Sequence, residues 1–263
     1  MNSGIQIFDR TAVRQHRDRA AQKLPQVVDL LRELAGRLIE RLEDTTRRFS
    51  SGLDIGGRGA VAPLLRARGI DVIACDLSRT MAALSGGLIV VADEEWLPFA
   101  PASFDLVVAS LSLHWVNDLP GTLIQIRRAL RPGGLFLASM PCLGTLGELR
   151  KALTEAESGL TGGAGPRVSP FPDLSDCAAL LQRAGFAMPV ADVEEIRLRY
   201  ADPMALVREL RAAGEANALR MRPRPTPPRY LFPAALSQMT EDDGRVGVTL
   251  NLAVLTGWSP EAA

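Results

Sequence analysis

Histidine is scarce in this chain: its 263 residues hold two, His16 and His114. A three-histidine zinc site is excluded, and an iron site of two histidines and one carboxylate would need both. Cysteine is nearly as scarce. Cys75, Cys142 and Cys177 lie far apart with no CxxC pair, which excludes a zinc knuckle or a dithiol redox motif. Net charge is absent, with 30 Lys+Arg against 30 Asp+Glu. No global field then draws the chain to nucleic acid or to an anionic membrane. Lysine is almost missing: Lys23 and Lys151 stand among 30 cations, a bias that a GC-rich genome explains as readily as function. The longest apolar runs are strand-sized, well short of the ~20 residues of a membrane span. The opening MNSGIQIFDR and the mixed charges after it do not read as a secretory signal. The expectation is a soluble cytoplasmic protein with no transmembrane segment and no nucleic-acid partner.

What is present is an ordinary globular composition, 47% hydrophobic and 23% charged. Residues 24–42 place Val27, Val28, Leu31, Leu34, Leu38 and Leu42 at helical spacing, one apolar face on a helix. The pattern then changes. Gly52–Ile55, Asp71–Cys75, Leu88–Ala92, Phe104–Ser110 and Leu135–Met140 are short, continuously apolar runs. Helical stretches separate them, at 60–68, after the N-cap Ser78, and at 119–130. Such runs belong to a parallel sheet buried on both faces, and the repeat of strand and helix gives a doubly wound α/β fold. Beyond Met140 the spacing predicts helices over 145–157, 174–184 and 204–213 and strands over 193–200 and 246–255. Segment 220–229 carries Pro223, Pro225, Pro227 and Pro228 among four arginines and reads as a loop or linker. Segment 197–229 holds eight arginines against three carboxylates; a solvated loop is preferred there over an acidic-partner surface.

Four segments carry chemistry. Asp54-Ile55-Gly56-Gly57-Arg58-Gly59 joins the first strand to its helix. Glycines there let a ligand approach the backbone at a helix start, or simply close a tight turn. Asp76 ends the second strand, about 20 residues on, where a carboxylate binds ribose hydroxyls in nucleotide-binding sheets; a carboxylate at a helix start is the plainer alternative. Asp93 follows the third strand and either holds an adenine amino group, with Leu77 or Trp96 packed on the ring, or lies in a solvated acidic loop. His114 follows the fourth strand, at the ligand-binding edge of an open α/β sheet. It is a candidate general base, but no partner carboxylate is marked for it, so a wall residue anchored by backbone bonds is preferred. A dinucleotide site is the weaker alternative, because GGRGAVA lacks the GxGxxG pattern.

Taken together, Asp54–Gly59, Asp76, Asp93, Leu97-Pro98-Phe99, FDLVV at 104–108 and LRPGG at 130–134 resemble the S-adenosylmethionine-binding fold of class I methyltransferases. Narrower strings are IFDR at 7–10, ADEEWLPF at 92–99, SFDLVVASLSLHWVNDLP at 103–120, TLGELR at 145–150, SPF at 169–171 and LLQRAGF at 180–186. These resemble the methyltransferase-like complex I assembly factors of mitochondria and their bacterial relatives and, more distantly, the carboxyl methyltransferases of biotin synthesis. The resemblance implies a Rossmann-like, mostly parallel seven-stranded sheet of order 3-2-1-4-5-7-6 with helices on both faces, the seventh strand antiparallel. It implies an N-terminal helical arm over 1–45, a cofactor-binding core over 46–142, and acceptor-side or lid helices and final strands over 143–263. It implies S-adenosylmethionine as cofactor: Asp54, Gly56, Gly57 and Gly59 at the methionine end, Asp76 at the ribose, Asp93 with Glu94 at the adenine, and Ala109, Ser110 and Leu111 beside the sulfonium. The family string DxGxGxG is one residue shorter here, which tightens the turn and brings Arg58 near the ligand. The implied activity is methyl transfer to a protein side chain or small acceptor. The alternatives are a factor that hydroxylates or chaperones a respiratory complex I subunit, and a non-catalytic scaffold.

Overall fold

The structure, a computed structural model, describes residues 6–261; the first five residues of the opening read above as non-secretory lie outside the described residues. Strands β1 (Ser51–Ile55), β2 (Asp71–Asp76), β3 (Leu88–Val91), β4 (Phe104–Ser110), β5 (Leu130–Pro141), β6 (Ala187–Tyr200) and β7 (Val246–Trp258) form one sheet of order β3-β2-β1-β4-β5-β7-β6. The β1–β5 pairings are parallel, and β7 runs antiparallel to both β5 and β6, the order and direction expected. Period-two alternation feeds two apolar layers. Leu53, Val107 and Phe136 pack with Leu123 and Ile126 of α5 (Leu119–Ala129) and Leu181 of α7 (Leu174–Arg183). Val72, Leu106 and Leu135 pack the other way, against Leu38 and Ile39 of α2 (Val28–Glu40) and Leu65 of α3 (Val61–Arg66). A third apolar cluster lies outside the sheet proper. It joins α6 (Gly147–Thr161), α8 (Pro203–Ala212), α9 (Leu231–Gln238) and the start of β7.

Several elements differ from expectation. The helix expected over 24–42 is broken: a 3₁₀ turn Leu24–Gln26 containing Pro25 precedes α2, and a second, Arg41–Asp44, follows it. β6 begins six residues before Val193. Pro189 and Asp192 interrupt the apolar pattern there, but β6 is an edge strand, where a missing donor is tolerated. A register irregularity between Ala187 and Val190, with Met188 at φ +46, absorbs the proline. Two helices were not placed individually, although they fall within the helical arm expected over 1–45 and the helices expected over 143–263. α1 (Arg10–Ala20) has few large apolar residues, though Asp9 caps it by accepting from the Ala12 N–H at 3.1 Å; α9 follows the proline-arginine segment. That segment is irregular, and Arg222 within it pairs with Asp9 at 2.9 Å.

The shortened turn after β1 closes on a carboxyl group. Asp54 is fully buried and accepts from the Ala62 N–H at the start of α3, 3.1 Å away. Gly57 crosses directly over it: a Cβ at Gly57 would lie 2.1 Å from Asp54 Oδ1. Gly56 and Arg58 take left-handed backbone, φ +66 and +51. Burial pushes the Asp54 carboxyl up to about 7, against the partial relief of the Ala62 N–H. The native protein then keeps a proton that the unfolded chain releases between about pH 4 and about pH 7. Native stability contributed by that proton is whole below this window and is lost as pH rises through it. Asp54→Asn mimics the neutral carboxyl. Relative to the unsubstituted protein it should gain stability with rising pH across the window and level off above it, as urea unfolding of both proteins would record. A stability difference that does not change with pH would overturn this.

Candidate active site

The carboxyl ends of β2 and β3 meet helix α1, and the meeting is ionic. Asp76 ends β2 and is buried; its Oδ1 accepts from the Ser78 N–H at 2.7 Å and lies 3.2 Å from Arg17 Nη1. Its Oδ2 has no partner among the described residues. Glu94, 0% exposed, accepts from Arg17 Nη1 at 2.6 Å and also pairs with Arg10. Asp93 stays at the rim and pairs with Arg10 at 2.7 Å. Of the acidic pair expected at an adenine, Glu94 therefore turns inward. Arg10 and Arg17 are seven residues apart, two turns of α1, and so share one face. Arg17 is 1% exposed, and its Nη2 is unpartnered among the described residues.

These contacts set the charges. Burial alone would raise the Glu94 carboxyl, but the Arg17 and Arg10 guanidiniums outweigh it and hold the group at about 2. For Asp76 burial prevails and its carboxyl lies above the usual carboxylate range, with Arg17 opposing. Arg17 itself stays protonated: desolvation works against it, and Asp76 and Glu94 more than compensate.

A second ionic group adjoins the first. Arg58, buried, bonds the Leu111 carbonyl and the Glu215 carboxylate. Glu215 lies just beyond α8 and accepts from Trp115 Nε1 at 2.9 Å and from His114 Nε2 at 2.8 Å. The expected backbone anchoring of His114 is thus corrected: its ring is held by a carboxylate 101 residues away in sequence. Burial would raise Glu215, but Arg58 and His114 prevail and keep it ionised at about 2. An ionised acceptor at Nε2 leaves that nitrogen carrying the proton. The Nδ1 lone pair is then unpaired among the described residues.

The other expected residues are dispersed. Asp54 and Gly57 lie inside the turn, while Gly59 backs onto α4 (Arg79–Ala83), where its Cβ would lie 2.8 Å from the Leu84 carbonyl. Gly56 stays beside Arg17: a Cβ there would lie 3.5 Å from Arg17 Nη1. Ser110 is buried at the end of β4, 3.4 Å from Ser139 Oγ. Leu77 packs with Phe8 and Trp115. Trp96 is 78% exposed and packs on nothing in this site. Sequence reading missed Arg10, Arg17 and Glu215. The seven-residue arginine spacing behind a capping Asp9 was the available signal for the first two; an isolated Gly-Glu-Ala offers none for Glu215.

Arg58, His114 and Glu215 also line a cavity of about 330 Å³ between the sheet edge and α6, α8, α9 and β7. That volume lies at the lower end of small-molecule pockets.

Comparison with known proteins agrees with this architecture. Residues 53–138 match a family model described as a methyltransferase domain. The arginine-hydroxylase NDUFAF5 of Danio rerio mitochondria is 35% identical over 98% of this chain and 84% of that protein. The malonyl-[acyl-carrier protein] O-methyltransferase of Methylovorus sp. is 34% identical over 100% of this chain and 93% of its own length. The crystal structure of YcgJ from Bacillus subtilis superposes with a TM-score of 0.60 at 16% identity, covering 88% of this chain and 99% of that one. The chain belongs to the class I S-adenosylmethionine-dependent methyltransferase family, in the branch that holds arginine-hydroxylase NDUFAF5 and the malonyl-[acyl-carrier protein] O-methyltransferases.

Proposed function

We propose that this protein binds S-adenosylmethionine along the β1–β2–β3 edge and methylates an acceptor held in the adjoining cavity. The observation that carries the reading is Asp76, a buried carboxyl group at the end of β2 with one oxygen unpartnered. Such a group lacks hydrogen-bond donors, and a ribose diol supplies two. Arg17 Nη2, buried and equally unpartnered, suits the cofactor's carboxylate. When bound, the cofactor supplies a methyl group on a sulfonium; attack by a lone pair forms the new bond and returns the sulfur electron pair to a neutral thioether. Gly56, Asp76 and Glu94 hold and orient the cofactor, with Leu77 and Ser110 flanking it. His114 accepts the acceptor's proton at Nδ1, and Glu215 fixes the tautomer that leaves Nδ1 free. The buried, largely apolar surroundings exclude water, and alignment supplies much of the rate.

A second reading, oxidation of an arginine on a protein partner such as a respiratory complex I subunit, draws on the NDUFAF5 relative's name. Mass spectrometry of a modified partner separates the two readings, by the mass of a methyl group or of an oxygen atom. The working location is the cytoplasm. Among the described residues no helix is long and apolar enough to cross a membrane.

Calorimetric titration with S-adenosylhomocysteine should show binding that Asp76→Asn weakens by about tenfold or more, the scale of a lost charged hydrogen bond. No binding at all would favour the scaffold alternative. The tautomer is checked separately by nitrogen NMR of the two histidines, which should find His114 protonated at Nε2 in the resting protein and mixed in Glu215→Gln. A ring protonated at Nδ1 in the unsubstituted protein would remove it as the base.

A further inference from the structure

We infer that α1, with residues 6–9 before it, is a gate over the cofactor site, clasped shut by residues 217–222, and that the cofactor enters and leaves only when this gate lifts. This rests on the S-adenosylmethionine reading and adds how that site is reached. As folded, the groups assigned to the cofactor are covered. Glu94 is 0% exposed, and the unpartnered Asp76 Oδ2 and Arg17 Nη2 have essentially no accessible surface. The cover is α1 itself. Arg17 Nη1 lies 2.6 Å from Glu94 and 3.2 Å from Asp76, and Arg10 Nη2 lies 2.7 Å from Asp93. The chamber reaches Arg58, His114 and Glu215, but Asp76 and Glu94 do not line it. A ribose diol cannot approach Asp76 Oδ2 while α1 stays seated.

The segment is built to move as a unit. Residues 6–9 lie outside the seven-stranded sheet and pair with one loop. The Asp9 N–H donates to the Ala218 carbonyl at 2.8 Å and the Arg220 N–H to the Ile7 carbonyl at 2.9 Å. Arg222 pairs with Asp9 at 2.9 Å, and Arg220 bonds Gln6. Asn117 pins the middle, accepting from the Phe8 N–H at 2.8 Å and donating to the Phe8 carbonyl at 3.3 Å. Phe8, Ala12 and Val13 pack with Trp115, Ala218 and Leu219 in a small apolar cluster of their own. A segment held by few and partly exposed contacts opens well before the core does. On its inner side, lifting α1 returns charged groups to water, so hydration offsets part of the cost of the broken ion pairs.

The test is stopped-flow binding of S-adenosylhomocysteine to the full chain, read by tryptophan fluorescence. Trp115 packs edge-on to Phe8, ring centroids 5.3 Å apart, and reports the lift. Arg222→Gln removes one partly exposed ion pair of the clasp. It should raise the association and dissociation rate constants together, each by about threefold, and leave the dissociation constant nearly unchanged. Adding Asn117→Ala should bring both increases to about tenfold; if that variant does not fold, Arg222→Gln decides. A rise in the dissociation rate alone, the usual result of a lost bound-state contact, would overturn the gate, as would no change in either rate. Hydrogen exchange of the protein without ligand separates the gate from the reading beneath it. The α1 amides should exchange at least about tenfold faster than those of β1 and β4, and faster still in Arg222→Gln. That result with no S-adenosylhomocysteine binding would keep the moving segment and sink the cofactor reading. Exchange of α1 no faster than that of the sheet would overturn the gate even where S-adenosylhomocysteine binds.

Discussion

Arg17 bridging Asp76 and Glu94 is the contact on which the arrangement of the site depends. Asp76 ends β2 and Asp93, Glu94 and Glu95 follow β3, and two of these four carboxylates, Asp76 and Glu94, are buried. Taking such groups out of water costs several kcal/mol each unless a cation and further hydrogen bonds compensate. Arg17 and Arg10 supply the cations, and both come from α1, which also buries Ala12, Val13 and Ala20 against apolar clusters. The same compensation explains the opposite behaviour of the two carboxyls. Glu94 faces both guanidiniums and stays ionised, whereas Asp76 shares Arg17 and is left with a free oxygen. That oxygen and Arg17 Nη2 are the buried atoms of the cluster left without partners among the described residues.

The missing residue in the glycine turn has a counterpart on the other side of the edge. Gly57 lies on Asp54 and the chain turns through left-handed backbone at Arg58. That turn sends the Arg58 side chain inward, where Glu215 meets it. Glu215 in turn fixes His114 and Trp115. A local shortening at residues 54–59 is thus coupled, through one guanidinium, to a loop more than 150 residues later. The histidine ring is positioned by side-chain charge, and its orientation depends on the lid loop being in place.

The difference between legible and illegible features follows from range. The parallel strands buried on both faces were readable because they depend on local periodicity and on short connections, whereas the sheet order and the antiparallel seventh strand followed from the family resemblance; Leu53, Val107 and Phe136 advertise their burial within their own strands. Asp76 was readable because it sits at a fixed distance from a glycine turn. Glu94 against Asp93 was not, since adjacent residues in a loop carry no signal of which one points inward. Arg17 and Glu215 act across 77 and 101 residues, on partners that periodicity cannot name. α1 was not placed within the expected arm because its buried apolar residues, Ala12, Val13 and Ala20, are small. The early start of β6 was hidden by Pro189, which only an edge position tolerates.

The packing separates the two halves of the site. The sheet and its flanking helices share two apolar layers, while α6, α8, α9 and the start of β7 form a third. Asp76 and Glu94 adjoin strands packed by the first two; much of the apolar cavity wall stands on the third. Substitutions in the third layer can then reshape the chamber without disturbing Asp76 or Glu94, as expected when a binding surface is grafted on a conserved scaffold. The Arg58–Glu215–His114 group ties the layers together by charge, as does the Arg197–Glu148 pair between β6 and α6.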